Sequence, residues 1–448
     1  MISFKSLIVT GSLSLLTLAA WADPPKVIER WIHNEQKVNF TGSGPNPAMN
    51  YEFTPEAGQI FNIEGVWVDA DQVEVSFDKE SAPEFLEKKF FRIKDGKKQV
   101  LFVYHLQTPE YYHGLTQGRK ADVKLPVTPS ASVRSLFTWD DKPQQEAFFT
   151  KLSINLVLGA NRRLIPAAEL SRSLYFTKLF RLIKKDLPAS FVYLPEVLGI
   201  LPKGQKEGGT LIRTIPPEVL RGERQLIPYF SLYSPDATAP DQKPLVVQMI
   251  DQSGRPAKEF IRKHLLDDFI VEWLSLAIDH GITMEPHGQN LMIETDSKGR
   301  LTGRYVHRDF GGFSVDRDYR RKLGLPDVAE KDIPHFAGIF DAGDNDYGLK
   351  TSFTRFFVNI LDNLDWRYSE WQRNGWVEDM KGENFREIFL KDLESLYEAK
   401  TGLKLKMNGD FEKIMEGVHQ ARKKRLAVRS QKSLAPASSM SCRKIFRY

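Results

Sequence analysis

The sequence predicts an α+β fold in which strands come first and the last third of the chain is mainly helical. Alternating apolar and polar residues, typical of half-buried strands, lie in the first third, and apolar residues spaced three and four apart dominate after residue 255. The chain has 448 residues, of which 41% are hydrophobic and 29 are Phe, so it can bury a large core. Its 63 basic and 58 acidic residues leave a formal charge of +5, which does not suggest a nucleic-acid partner.

The first 22 residues have the pattern of a secretory signal peptide. Lys5 supplies a positive charge, an apolar run follows over residues 7–20, and Ala20-Trp21-Ala22 fits a small-x-small cleavage site. The apolar run is shorter than the roughly 20 residues that a membrane-spanning helix needs. We therefore expect cleavage after residue 22, a periplasmic or secreted bacterial protein, and no stable membrane insertion of the mature chain. An uncleaved chain would be cytoplasmic.

Strand patterns follow the signal peptide. Residues 66–68 and 73–77 alternate on either side of a short polar turn, which predicts a β-hairpin. Two more strands are predicted at residues 100–106 and 122–127, on either side of a polar loop. The N-terminal part of the mature chain is therefore predicted to be rich in β-structure.

Three later segments have helical periodicity. Residues 259–280 carry apolar side chains at spacings of three and four and are followed by Gly281, a residue type that commonly ends helices. The other two segments begin near Phe353 and Phe385. The chain then becomes basic, and residues 430–448 are predicted to form a disordered basic tail.

The strongest chemical signal is a pair of short motifs near residue 300. Glu285, His287 and Asn290 precede an apolar strand, and Asp309 follows a second strand after a tight turn. Two strands joined by a tight turn have their outer ends side by side, so Asn290 and Asp309 are expected to be neighbours. Their amide and carboxylate oxygens suit Mg²⁺, and His287 is expected to reach phosphates bound there. This is the layout of a kinase-like ATP cleft.

The residue at position 289 separates two classes of reaction. Kinases carry an Asp two residues after the His of this loop, where it acts as a base for a hydroxyl nucleophile. Gln289 cannot accept a proton, whereas a carboxylate nucleophile is already ionised at neutral pH and needs no base. The pattern favours carboxylate activation over hydroxyl phosphorylation. A purely structural hydrogen-bonded network of Glu285, His287 and Asp309 is the alternative.

The motifs resemble those of the aerobactin-synthetase-like siderophore synthetases, which work independently of nonribosomal peptide synthetases. The resemblance includes Glu285-x-His287-x-Gln289-Asn290 and Arg308-Asp309-x-Gly311. Upstream, Lys124-Leu125 and the segment from Ser132 to Arg134 resemble a Lys-Leu strand of the family and the segment after it, and Arg213 ends a further short strand. The match covers about residues 100 to 420.

The resemblance implies an ATP-dependent synthetase. Such an enzyme activates a citrate-like carboxylic acid as an acyl-adenylate and joins it to an amine or alcohol. Contacts with ATP are implied for six residues: Lys124, Ser132, Arg134, Arg213, His287 and Gln289. Mg²⁺ is implied at Asn290 and Asp309, and catalytic roles are implied for His287, Gln289 and Arg308.

The same resemblance implies a fingers, palm and thumb architecture. It divides the mature chain into a β-rich region at 23–120, a fingers-like nucleotide-binding region at 121–255 and a palm- and thumb-like, mainly helical catalytic domain at 256–429. Asn359-Ile360-Leu361 and its helix resemble the ferric-reductase-like C-terminal region of the family. The oligomeric state stays open, a homodimer included.

Two features depart from the family pattern. The family has a Ser-x-Arg segment shortly before its lysine, and residues 111–120 contain none before Lys124. A signal peptide is also unexpected, because these synthetases work where ATP is present. Two alternatives therefore stay open: an exported non-catalytic relative that binds a carboxylate or a siderophore, and a secreted kinase-like phosphotransferase.

Overall fold

The computed structural model describes residues 49–57, 59–138, 146–158, 161–235, 241–335, 344–407 and 412–434. The predicted signal peptide and residues 435–448 of the predicted tail lie outside these ranges. Within them, no helix combines the length and the apolar composition that crossing a membrane requires.

The strands of the described residues are short and are numbered in chain order. They are β1 (Phe61–Asp69), β2 (Val73–Phe77), β3 (Phe91–Lys94), β4 (Lys97–Tyr104), β5 (Val123–Ser132), β6 (Ser135–Thr138), β7 (Phe148–Leu152), β8 (Ile154–Leu158), β9 (Asn161–Arg163), β10 (Phe191–Tyr193), β11 (Glu196–Pro202), β12 (Thr210–Thr214), β13 (Arg224–Pro228), β14 (Ile282–Thr283), β15 (Leu291–Asp296), β16 (Leu301–His307) and β17 (Ser314–Val315).

The helices are concentrated in the second half of the chain. They are α1 (Glu84–Phe90), α2 (His113–Thr116), α3 (Ala167–Leu182), α4 (Pro217–Leu220), α5 (Leu245–Ser253), α6 (257–280), α7 (Arg317–Leu323), α8 (344–373), α9 (Phe385–Thr401) and α10 (Glu412–Leu434). Helix α6 contains two π-helical turns, Arg262–Asp267 and Ser275–His280, and α8 contains one, Phe357–Leu361.

The larger sheet has nine antiparallel strands in the order β2-β11-β12-β7-β6-β5-β1-β4-β3. It curls until its two edges approach each other, since the rings of Phe77 on β2 and Phe91 on β3 are 5.2 Å apart. A smaller sheet has the order β10-β16-β15-β13. The mixed α+β class, with a curled antiparallel sheet and a helical C-terminal region, agrees with the sequence prediction.

The two faces of the larger sheet belong to different cores. One face carries the cluster that includes Phe148 and Leu198. The other face contributes Phe149 to a cluster with Met292 and Val306 of the smaller sheet. The ends of β15 and β16 therefore lie against the second face, where a site between the two sheets can form.

The predicted hairpin of β1 and β2 does not form. Strand β1 pairs with β4 and β5, whereas β2 pairs with β11 at the edge of the sheet. The link between them, Ala70–Gln72, is a 3₁₀ turn, and the Gln72 side chain accepts a hydrogen bond from the backbone N–H of Asp69. Alternation fixes which side chains of a strand face the core and does not choose the partner strand, which is why the pairing was wrong.

The three predicted helices are present. Helix α6 covers the predicted segment and ends at Gly281, which has a left-handed φ of +64°. Helix α10 extends to Leu434, so the start of the predicted tail, residues 430–434, is helical. Two basic side chains of α10 bind within the molecule: Nζ of Lys424 donates to the carbonyl of Thr401 at 2.7 Å, and Nε of Arg422 donates to the carbonyl of Ala277 at 2.9 Å.

The predicted regions do not coincide with the sheets. The larger sheet takes strands from both 23–120 and 121–255, so the predicted boundary at residue 120 falls inside one sheet. The smaller sheet joins β10 and β13 to β15 and β16 of the predicted catalytic domain. Strand pairing between distant segments decides these units, and composition does not reveal it.

His105 should make the fold sensitive to acid. Its ring is buried against Phe53 and Phe61, and its Nδ1 accepts a hydrogen bond from the N–H of Gln107 at 2.9 Å. Burial lowers the pKa of His105 from 6.5 to about 3. The unfolded chain takes up this proton near pH 6.5 and the folded chain only near pH 3, so this group's contribution to stability decreases as the pH falls between these values.

We expect the substitution His105→Asn to reduce this pH dependence. Asn keeps an acceptor for the N–H of Gln107 and does not titrate, and each pH unit is worth up to about 1.4 kcal/mol for one group. Denaturant unfolding at pH 7 and pH 4.5 measures the difference. The same substitution at the exposed His113 is the control. Equal losses of stability on acidification in wild type and His105→Asn would contradict the prediction.

Candidate active site

The two sequence motifs meet at the adjacent ends of β15 and β16. Leu291 of β15 pairs with His307 of β16, and the N–H of Arg308 donates to the carbonyl of Asn290 at 3.2 Å. The strands are joined by the predicted tight turn over residues 296–299. Asn290 and Asp309 are therefore neighbours along the backbone ladder, as the strand-turn-strand pattern predicts.

Asp309 leaves β16 in a left-handed backbone conformation, with φ of +68°. The N–H groups of Asp309 and Phe310 both donate to the carboxylate of Glu196, each at 3.2 Å. Asp is among the residues that tolerate this conformation. Glu196, at the start of β11, therefore fixes the backbone that carries the predicted metal ligand.

Lys151 on β7 contacts Asp309 directly. Its Nζ is 2.7 Å from Oδ1 of Asp309 and 2.6 Å from Oε1 of Glu169, and its side chain is only 5% exposed. Glu169 lies in the first turn of α3, and Arg172 of the same helix donates to the carbonyl of Gly311 at 3.1 Å. The larger sheet and α3 thus hold the loop after β16 between them.

The site residues on the second face of the larger sheet lie in two neighbouring rows, each of which runs across the paired strands. Ser132 and Lys151 lie in one row across β5, β6 and β7. Phe149, Arg213 and Glu196 lie in the next row across β7, β12 and β11. Because side chains alternate along a strand, Phe149 and Lys151 point to the same face.

Arg213 forms a buried ion pair with Glu196. Its Nε donates to Oε1 of Glu196 at 3.0 Å, a second guanidinium nitrogen contacts the same oxygen, and both side chains are almost fully buried. Glu196 in turn holds the backbone of Asp309. This placement makes Arg213 a support of the loop and does not favour the predicted contact between Arg213 and ATP.

Arg134 and Arg163 add two guanidinium groups beside the carboxylates. Arg134 donates to the carbonyl of Arg163 at 3.2 Å. Burial lowers the pKa of Arg163, the positive charge of Arg134 lowers it further, and Asp309 and Glu169 oppose this. A buried guanidinium group, Arg163, beside a half-buried one, Arg134, favours an anion such as a phosphate or carboxylate.

The carboxyl group of Asp309 is held in its ionised form. Burial alone would raise its pKa, but the positive charges of Lys151, Arg213 and Arg134 outweigh burial and hold the pKa well below its usual range. Asp309 is therefore ionised at neutral pH.

Lys124 lies outside this cluster. It is exposed at the start of β5, opposite Glu64 of β1, and Ser132 lies at the other end of the same strand. At about 3.3 Å per residue, the two ends are roughly 25 Å apart. The predicted contact of Lys124 with ATP phosphates conflicts with this position.

Lys151, and not Lys124, is the lysine that lies beside Asp309. Like Lys124, it begins a Lys-Leu pair, and the segment Ser132-Val133-Arg134 precedes it in the chain. The signal in the sequence is a single charged residue in the apolar strand Phe148–Leu152, which the structure buries completely. Arg163 and Glu169 carry no comparable local signal.

His287 is a buried, neutral hydrogen-bond donor. Its Nδ1 accepts a hydrogen bond from the N–H of Gln289 at 3.2 Å, which leaves the ring proton on Nε2. Burial lowers the pKa of His287 to about 4, and the charge of Arg355 also lowers it, while Asp309 opposes them. A neutral imidazole of this kind can donate to an anionic oxygen without changing the net charge of the site.

Arg308 binds the backbone of the loop before β15 and lies against the larger sheet. Its Nε and a terminal nitrogen donate to the carbonyl of Gln289 at 3.1 and 2.9 Å, and its guanidinium lies 6.0 Å from the ring centroid of Phe149. The side chain is buried. This position favours a positioning role over the predicted catalytic role of Arg308.

Glu285 pairs with Arg355 of α8 at 3.0 Å. Burial raises the pKa of Glu285, although the charge of Arg355 opposes the rise. A Cβ at Gly312 would lie 2.9 Å from Cβ of Glu285, so a larger residue there would force Glu285 to move. Arg355 adds a positive charge beside His287 that sequence patterns did not indicate.

The oxygen donors fit a hard divalent cation. The carboxylates of Asp309 and Glu169 converge on one positive group, and the backbone of Asn290 pairs with that of Arg308, the residue before Asp309. A Cβ at Gly311 would be 3.0 Å from Cγ of Glu169 and 3.4 Å from Oδ1 of Asp309, so glycine keeps this space open. The described residues contain no group of three His, Cys, Asp or Glu side chains that could hold a metal. Mg²⁺ would therefore share its coordination with phosphates and water, as it commonly does.

Part of this chain matches the model of a known family. Residues 43–234 match the model of the IucA / IucC family, which confirms the resemblance seen in the motifs. The match includes the sheet residues of the site and ends before the loop at residue 287. The predicted resemblance of the C-terminal region to ferric reductases stays a prediction.

Two solved structures are similar to this chain. The petrobactin biosynthesis protein AsbB from Bacillus anthracis str. Sterne matches 84% of this chain and 67% of its own, with 15% identity and a TM-score of 0.61. The aerobactin synthetase IucC from a hypervirulent pathotype of Klebsiella pneumoniae matches 83% and 65%, with 15% identity and a TM-score of 0.57. The chain thus spans about two thirds of the length of each, and at this identity the likeness shows a common fold. Curated proteins give no match.

Proposed function

We propose that this protein is an ATP-dependent ligase that activates a small, citrate-like carboxylic acid and condenses it with an amine or alcohol. The observation that carries this proposal is the convergence of Lys151, Arg134 and Arg163 with Asp309 and neutral His287 beside the second face of the larger sheet. The family match over residues 43–234 supports the same class of reaction. The nine-stranded sheet would correspond to the fingers, and the helical region to the palm and thumb of a kinase-like cleft.

The residues divide the reaction between them. In the first step a carboxylate oxygen of the acid attacks the α-phosphorus of ATP, and pyrophosphate leaves. Arg134, Arg163 and Lys151 would bind the phosphate charge, and Nε2–H of His287 would donate to an anionic oxygen. In the second step the nitrogen or oxygen of the amine or alcohol attacks the acyl carbon, the bond from the acyl carbon to AMP breaks, and the proton of the nucleophile passes to solvent.

Mg²⁺, when bound, would neutralise phosphate charge. The carboxylates of Asp309 and Glu169 would hold it, with Asn290, whose backbone pairs with Arg308, as a further proposed ligand. Gln289 is consistent with a nucleophile that needs no base in the first step. Glu196 and Arg308 keep the loop in place during both steps, because they bind its backbone and not the substrate.

The proposal is tested by acid-dependent pyrophosphate exchange. The full chain is incubated with ATP, MgCl₂, labelled pyrophosphate and one acid from a panel of citrate-like carboxylates. We expect exchange of label into ATP only when an acid is present, and release of AMP when hydroxylamine is added as the nucleophile. Absence of exchange with every acid of the panel would overturn the proposal.

Two other functions give different results in the same assay. An exported binding protein, suggested by residues 1–22, would be stabilised by citrate-like acids without ATP and would show no exchange. A phosphotransferase would release ADP and label a protein or small acceptor. Each result distinguishes its function from the ligase.

A further inference from the structure

The site holds a positive charge of its own between its two carboxylates. Nζ of Lys151 lies 2.6 Å from Oε1 of Glu169 and 2.7 Å from Oδ1 of Asp309, so one oxygen of each carboxylate contacts the same ammonium. The lysine side chain is 5% exposed, and it comes from a strand, whereas the carboxylates come from α3 and from the loop after β16. Three separate elements thus converge on one cation.

We propose that Lys151 and a divalent cation exchange at this point. Lys151 holds Asp309 and Glu169 together until bound phosphate draws its ammonium away, and Glu169 then joins Asp309 as a ligand of the divalent cation. This inference rests on the proposed function in taking a triphosphate as the group that attracts Lys151. It couples the binding of the cation to the binding of the phosphates.

The charges of these groups explain why the ammonium of Lys151 and a divalent cation cannot occupy this point together. Two carboxylates and one ammonium leave one negative charge at this point, whereas a divalent cation in place of the ammonium leaves none. An ammonium and a divalent cation cannot share the point, because like charges at contact distance repel strongly inside a protein. The lysine must therefore leave before the cation binds tightly.

The shape of the surroundings agrees with the exchange. Ligand oxygens lie about 2.1 Å from Mg²⁺, so the two carboxylates need to approach by only about half an ångström each. A Cβ at Gly311 would be 3.0 Å from Cγ of Glu169 and 3.4 Å from Oδ1 of Asp309, and glycine leaves room for this movement. The neighbouring Arg134 and Arg163 offer phosphates a place next to the departing ammonium.

The test measures Mn²⁺ binding to the full chain without nucleotide, by calorimetry or by the electron paramagnetic resonance of free Mn²⁺. We expect weak binding to the wild type. Lys151→Met removes the competing charge and should tighten Mn²⁺ binding by about tenfold or more. Lys151→Gln keeps two hydrogen-bond donors for the carboxylates and removes the charge, so it should tighten binding too. It serves as the second variant if Lys151→Met does not fold.

Glu169 is tested in the same experiment. The double variant Lys151→Met/Glu169→Gln should lose the gain and bind Mn²⁺ as weakly as the wild type. The control is Lys178→Met on the same helix as Glu169, where the ammonium donates to the carbonyl of Asp332 at 3.1 Å. That variant should bind Mn²⁺ as the wild type does.

Two outcomes would overturn the inference. If neither Lys151 variant binds Mn²⁺ more tightly than the wild type, the ammonium does not occupy the cation position. If the gain persists without the carboxylate of Glu169, Glu169 is not a ligand. Because the assay contains no ATP and no acid, its result is independent of pyrophosphate exchange, and either proposal can fail alone.

Discussion

Replacing Asp309 by Asn should lower the rate of acid-dependent pyrophosphate exchange by about 10²- to 10³-fold, the usual effect of losing one aligned electrostatic group. Asn has the same shape and tolerates the left-handed φ of +68° at this position. It also keeps the backbone N–H that donates to Glu196. The lost property is the charge that balances Lys151 and the nearby guanidinium groups.

A matched control separates this effect from a general change of charge. Asp318→Asn makes the same substitution at an exposed carboxylate that pairs with Arg321 at 2.8 Å on the surface of α7. We expect exchange at the wild-type rate. Circular dichroism and denaturant unfolding establish that Asp309→Asn is folded. A folded Asp309→Asn variant with a rate within twofold of the wild type would remove Asp309 from the reaction.

Replacing Arg213 by Met should destabilise the fold by about 3–5 kcal/mol. The substitution leaves the carboxylate of Glu196 buried without its counter-charge, and breaking a buried ion pair from one side has this cost. Glu196 also accepts the N–H groups of Asp309 and Phe310, so the loop loses its support as well. Denaturant unfolding measures the loss.

The double variant Arg213→Met/Glu196→Gln tests the cause. It removes both charges and keeps an acceptor for the loop, so it should be more stable than Arg213→Met alone. The control Arg221→Met breaks an exposed pair with Glu223, which should cost far less stability than Arg213→Met because solvent screens exposed charges. If Arg213→Met were as stable as the wild type and instead raised the KM for ATP, Arg213 would be an ATP ligand, as the sequence predicted.

Asp309→Asn and Arg213→Met should have different effects because Asp309 and Arg213 have different surroundings. Asp309 faces a cluster of cations and is one quarter exposed, so a ligand can reach it. Arg213 is almost fully buried behind it and is committed to Glu196. The first substitution should therefore affect chemistry with the fold intact, and the second should affect the fold first.

Much of the motif geometry could be predicted from local sequence. The tight turn after β15 brings Asn290 near Asp309, because two strands joined by such a turn pair with each other, and Leu291 lies opposite His307. The helix at residues 259–280 and its end at Gly281 follow from periodicity and from the preference of glycine for a left-handed cap. Each of these features depends on residues close in the chain.

The other half of the site could not be predicted in this way. Lys151 is far from Asp309 in the chain, and the two meet because β7 lies in the larger sheet whose second face packs on the smaller sheet. Lys124 seemed equally suitable by sequence, but the register of β5 places it at the other end of the strand from Ser132. Only the order and register of the strands distinguish the two lysines.

By itself, the sequence determined the α+β class, the strand-turn-strand unit with Asn290 and Asp309 at its ends, and the resemblance to siderophore synthetases. The tertiary structure decided which cations face Asp309. It also decided that Lys151 contacts both Asp309 and Glu169, and that Arg213 supports the loop after β16. The physical reason is range: turns, caps and periodicity act between residues a few positions apart, whereas charge pairing in this site joins segments that only the packing of two sheets and a helix brings together.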